Sequence, residues 1–210
     1  MGRTLNLGER IELVAMDRHA QEISVGLYRP ICEASQQVFH IHSYSSRELV
    51  ADRMEFIRQA MITLGGMIEA DGGFLQFPCG AEHNRGVRRL FLDVCKVEPT
   101  AALNVRDSTV FDKKSDATVT VTSAGDGRYV FSSDSDSKKA TERASAIARG
   151  MAKLAELEVT ADDTVQFSCG HCHDELVAQL LIRAVNVRAA LREQEAAAAR
   201  GNLAAPSQQR

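Results

Sequence analysis

Two short stretches of this chain carry thiol and imidazole groups at the same spacing: Cys79-Gly80-Ala81-Glu82-His83 and Cys169-Gly170-His171-Cys172-His173. Thiolate sulfur and neutral imidazole nitrogen are donors that suit zinc. In both stretches a short apolar run precedes the cysteine and a helical pattern follows the histidine. A cysteine at a helix start meets free backbone N–H groups and the positive end of the helix dipole, and both favour thiolate. A histidine four residues on returns to the same helical face. Cys169, Cys172 and His173 alone supply three ligands and leave one position open. If the two stretches meet in space, Cys79, His83, Cys169 and His173 make a closed set of two sulfurs and two nitrogens. An open position would carry water for metal-assisted hydrolysis or lyase chemistry, with Glu82 or His171 as the base.

Other chemistries fit the same residues. Cys169 with Cys172 can do thiol redox work, or Cys169 can act as a nucleophile with His173 as base. Cys169-Gly170-His171-Cys172 resembles the active-site tetrapeptide of protein disulfide isomerases of the thioredoxin family. The likeness covers four residues and implies a redox dithiol. The family continues past that helix with further strands and a cis-proline, whereas only helix and tail follow Asp174 in this chain. Cys169 to His173 also fits the C-x-x-C-H pattern of c-type haem attachment. A nucleobase-deaminase zinc pattern fails, because Glu82 stands where a second cysteine after Pro78-Cys79 would be needed. The plainest alternative is a binding or assembly protein in which both cysteines are small buried apolar groups.

The elements that must position these groups emerge when the chain is compared with itself. Shifting it by about 90 positions aligns Leu75–His83 with Val165–His173 without a gap. Arg53, Ile57, Met61 and Leu64 then meet Arg143, Ile147, Met151 and Leu154, and Val87, Leu90 and Val97 meet Val177, Leu180 and Val187. About fourteen identities fall in roughly sixty positions, where chance gives about four. A period this long predicts two tandem modules related by a pseudo-twofold axis, residues 1–98 and 99–200. Each reads as β-β-α-β-α: strands Glu22–Tyr28 and Val38–Ser43 in the first, Ala117–Thr122 and Arg128–Ser132 in the second. Extra strands are allowed near Ile11–Ala15 and Ala102–Val105. Ser45 with Glu48 forms a capping box that opens a helix to about Ala70, matched by Ala140–Leu157. The expected class is α+β with a mixed sheet per module. A last helix is expected from Asp174 to Arg200, with 201–210 disordered.

Composition narrows the partners. The chain has 25 basic and 28 acidic residues, a net charge of −3, and aromatic residues make up 5% of it with no tryptophan. This disfavours nucleic-acid binding and base-stacking platforms. No run approaches the roughly 18 apolar residues that span a bilayer, and the start lacks the apolar core of a secretory signal, so a cytoplasmic protein is expected. Five cysteines in such a compartment do not read as a disulfide framework. The Ala- and Glu-rich end of the last helix is the expected surface for a homo-oligomer, and the substrate of any activity is a small molecule of unstated kind. Arg85, Arg88 and Arg89 form a basic cluster near His83 that reads as an exposed helix face. His40 and His42 share one face of a strand.

Overall fold

Alternating and three-to-four-spaced apolar residues divide the chain into fifteen elements in the structure, a computed structural model that describes residues 7–17, 21–30, 38–43, 48–81, 83–98 and 100–204. β1 (Leu7–Asp17), β2 (Gln21–Pro30) and β3 (Val38–His42) precede α1 (Glu48–Gly65). β4 (Ile68–Ala70), β5 (Phe74–Gln76) and α2 (Asn84–Val94) follow. The same order then recurs: β6 (Thr109–Asp112), β7 (Ala117–Gly125), β8 (Arg128–Ser133), α3 (Lys138–Ala155), β9 (Glu158–Ala161), β10 (Thr164–Gln166) and α4 (Asp174–Ala184). α5 (Val187–Ala204) comes last. The class is α+β.

Two five-stranded sheets result, ordered β1-β2-β3-β5-β4 and β6-β7-β8-β10-β9. Among the described residues every strand pairing is antiparallel, so the expected mixed sheets are not found there. The extra strand allowed near Ile11–Ala15 is present as part of β1, but the expected order omits β6 before α3 and, in both halves, one strand after the first helix. The second omission explains the sheet type. A strand-helix-strand crossover alone would return parallel, but β4 and β9 each reverse the chain once more before β5 and β10 pair with β3 and β8.

Helix α1 stops at Gly65, five residues short of the expected end, because Gly66 takes φ +65° and turns the chain into β4. Ile68, which looks like part of the helical stripe, therefore lies on a strand and is 42% exposed. Helix α3 ends in the same left-handed geometry at Glu156. No strand forms at Ala102–Val105. The expected Asp174–Arg200 helix is broken between Ala184 and Val187. The Asp126-Gly127 hairpin is present, with φ +50° and +72° giving the mirror-image turn that matches strand twist. Ser137 caps α3 by accepting the Ala140 N–H at 3.2 Å; Ser45, the expected cap of α1, lies outside the described residues, as do 205–210 of the expected tail.

The core is one continuous cluster drawn from both halves. Val50, Ile57, Met61 and Leu64 of α1 and Ile147, Met151 and Leu154 of α3 are buried, as are Phe39, Leu75, Val119, Phe131 and Val165 of the sheets. α1 packs on α2 and α4, and α3 packs on the same two helices. Arg53 and Arg143, 90 positions apart in the chain, do the same work. Arg53 donates to the carbonyls of Val94 and Cys95 (3.4 and 3.2 Å), and Arg143 to that of Val185 (2.8 Å). Each arginine so satisfies the open C-terminal end of the helix that follows the Cys-Gly-x-x-His stretch.

α5 is docked inside the chain, with Ala190 and Ala197 buried. Arg89, fully buried, donates to Asp93 (2.6 Å), to Glu193 (2.7 Å) and to the Ala190 carbonyl (3.3 Å), and Lys96 also pairs with Glu193. Arg89 is thus a tie between helices, not part of an exposed basic face. Burial alone would raise the Glu193 carboxyl, but hydrogen bonds from Lys96 and Arg89 outweigh it and hold the group at about 2 against an ordinary 4.5. A lowered folded-state pKa stabilises above the unfolded value, so this tie is at full strength above about pH 4.5 and is lost as pH falls towards 2. Melting curves between pH 2 and 6 should show that loss, and Glu193→Gln should flatten the pH dependence in this window.

Candidate metal centre

The backbone after β5 and β10 explains how cysteine and histidine come to face one another. In both halves a tight turn closes on the glycine: Gly80 N–H donates to Phe77 O at 2.9 Å and Gly170 N–H to Phe167 O at 3.1 Å. Both glycines have φ near +70°, a conformation that disfavours any side chain. This turn aims the next N–H back at the sulfur, from Ala81 to Cys79 Sγ and from His171 to Cys169 Sγ, each at 3.4 Å. The cysteines are therefore not helix-start residues, contrary to the expectation from sequence. His83 and His173 occupy the N-cap positions of α2 and α4, make no side-chain capping bond, and turn their rings towards the sulfurs.

The two stretches meet. Cys79 Sγ lies 3.3 Å from His83 Nε2 and 3.5 Å from His173 Nε2, and Cys169 Sγ lies 3.4 Å from His173 Nε2. All four donor atoms fall within 4.8 Å of one another, a group that can hold a metal ion. With Zn–S about 2.3 Å and Zn–N about 2.0–2.1 Å at a tetrahedral angle, sulfur and nitrogen would sit about 3.5 Å apart. These three sulfur–nitrogen distances match that figure. The histidines are buried at 3% and 5% exposure, while both cysteines are half-buried.

The surroundings hold the imidazoles in the form a metal needs. Burial, with the adjacent His173, pulls His83 down to about 3; burial and His171 pull His173 down to about 4, partly opposed by Asp174. Both rings are neutral at pH 7. Burial pushes the Cys79 thiol up, and the Ala81 N–H works against that. Phe77 and Phe167 wall the rings edge-on, each contacting both histidines at centroid distances of 4.7–5.0 Å.

The remaining candidates are placed elsewhere. Cys172 is exposed and outside the group of four; its sulfur accepts the Ser123 hydroxyl at 3.1 Å. His171 is exposed, with Nδ1 2.8 Å from the Cys169 carbonyl oxygen. Glu82 lies outside the described residues. His40 and His42 stack on each other at 5.7 Å on β3 and do not belong to the group. Arg85 pairs with Glu156 at 3.0 Å. Sequence reasoning aligned Phe77 with Phe167 without giving them a role, and it missed Tyr129, whose hydroxyl reaches the second stretch. No helix among the described residues is long and apolar enough to cross a membrane. Compared with family models, curated proteins and solved structures, the chain matches none.

Proposed function

We propose that Cys79, His83, Cys169 and His173 bind one zinc ion as a closed structural site, and that the protein is a metal-stapled pair of homologous modules serving as a binding or assembly scaffold. The observation that carries this is the donor geometry: two candidate ligands from each half, all within 4.8 Å of one another, with three sulfur–nitrogen distances of 3.3–3.5 Å that suit a tetrahedral ion. Two sulfurs and two nitrogens suit zinc, which has no geometric preference of its own and accepts the tetrahedron offered. Four protein ligands leave no position for water, so hydrolysis with His171 or Glu82 as base would require one ligand to leave.

Reciprocal contacts support the duplication and its pseudo-twofold axis. Aligned partners meet each other: His83 meets His173 (4.3 Å between ring centroids), Asp93 meets Arg183 (3.0 Å), and the space beside Gly86 is filled by Leu176. Off-axis contacts come in matched pairs. Phe77 lies 5.0 Å from His173 while Phe167 lies 4.9 Å from His83. Arg85 reaches Glu156 while Glu175, the partner of Arg85 in the alignment, crowds Gly66, the partner of Glu156. A self-complementary interface behaves this way.

Metal analysis and X-ray absorption on untagged protein test the reading. About one zinc per chain, with two sulfur and two nitrogen neighbours, is expected. Absence of metal overturns it, and an oxygen neighbour in place of one ligand would favour the open, hydrolytic site.

A further inference from the structure

The two halves of the site are not braced alike. Tyr129, on β8 and 1% exposed, accepts the backbone N–H of His173 and donates its own proton to Asp174 at 2.8 Å. One buried hydroxyl thus fixes the N-cap residue that carries a ligand and ties it to the first residue of α4. The β7–β8 hairpin supports the neighbouring turn from below. Gly127 O accepts the Phe167 N–H at 3.0 Å, and Gln166 Nε2 donates to Asp126 O at 2.8 Å. A Cβ on Gly127 would meet the Gly170 and His171 backbone at 3.1–3.2 Å, so this turn rests directly on the hairpin. In the first half the position of Tyr129 is held by Phe39, also buried, and that of Asp174 by Asn84. The rings superimpose in role: Phe39 stands edge-on to Phe77 at 6.5 Å as Tyr129 does to Phe167 at 6.0 Å. Phe39 has no hydroxyl to offer the His83 N–H.

We infer that Tyr129, with Asp174, is a positioning residue for the metal site: it sets His173 and Cys169 in place before the ion arrives, so that the second half receives the metal and Cys79 and His83 close over it. This rests on the metal reading above. Outer partners that fix a ligand's orientation typically contribute 10–100-fold in metal affinity.

Cobalt(II) titration in competition with a chromophoric chelator tests it, because the ion's absorption reports sulfur and nitrogen ligation directly. Tyr129→Phe should weaken cobalt binding about tenfold or more while the bound spectrum keeps its four-ligand form. In metal-free protein the His173 amide should exchange slowly, and Tyr129→Phe should remove that protection. Phe39→Tyr with Asn84→Asp, added to Tyr129→Phe, should recover part of the lost affinity by bracing the other half. Cobalt affinity within twofold of wild type in Tyr129→Phe overturns the positioning role and leaves the metal reading standing. Wild-type protein that takes up no cobalt overturns both.

Discussion

Cys169→Ser should strip the metal and lower the melting temperature of zinc-loaded protein by about 8–16 °C. An ion that binds only the folded state stabilises it by RT ln(1 + [L]/Kd), about 4 kcal/mol when free zinc is a thousand times Kd. For a chain of this size each kcal/mol moves the midpoint by about 2–4 °C. Ligands from both halves converge on one point, so Cys79→Ser should cost as much as Cys169→Ser, and the two together little more than either alone. Chelation of wild type should produce the same drop, and the variants should then be insensitive to chelator. Calorimetry with and without zinc reads all of this; a wild-type midpoint indifferent to both zinc and chelator would remove the structural metal.

Arg89→Met should destabilise the chain by about 3 kcal/mol and release α5 first. The guanidinium is fully buried between Asp93 and Glu193, and removing one member of a buried charged set typically costs about 3–5 kcal/mol because the others remain. The lower end applies, since Asp93 retains Arg183 at 3.0 Å and Glu193 retains Lys96. Methionine keeps much of the volume, so the loss reports charge and hydrogen bonding more than a cavity. Amide exchange across Val187–Ala204 should accelerate more than in α3. Uniform acceleration throughout the chain would show that α5 does not depend on this tie.

The four residues of the cysteine–histidine group and the recurring order of elements were legible because both follow from residue type at fixed spacing. Helix patterns over α1 and α3 were legible for the same reason, and so was the Asp126-Gly127 hairpin. Strands β4 and β9 were not: each is three or four residues long, with Ile68 and Val159 half-exposed, so no alternation marks them. Glu156 ends α3 at φ +59° without a glycine to announce it. Arg89 read as surface charge because Glu193, which neutralises it, lies 104 residues away. Tyr129 was invisible as a site residue because its role depends on two atoms more than forty residues distant.

The pair at Asp93 and Arg183 carries a consequence for how these halves choose each other. Were either half to dimerise with a copy of itself in the same pose, aspartate would confront aspartate, or arginine would confront arginine. Leu176 would likewise confront Leu176 in space that Gly86 now leaves free. Repulsion and steric conflict disfavour both like-with-like assemblies, and only the mixed pairing satisfies charge and shape together. Each half is therefore a lock whose key is the other half, whether the two belong to one molecule or to neighbouring ones.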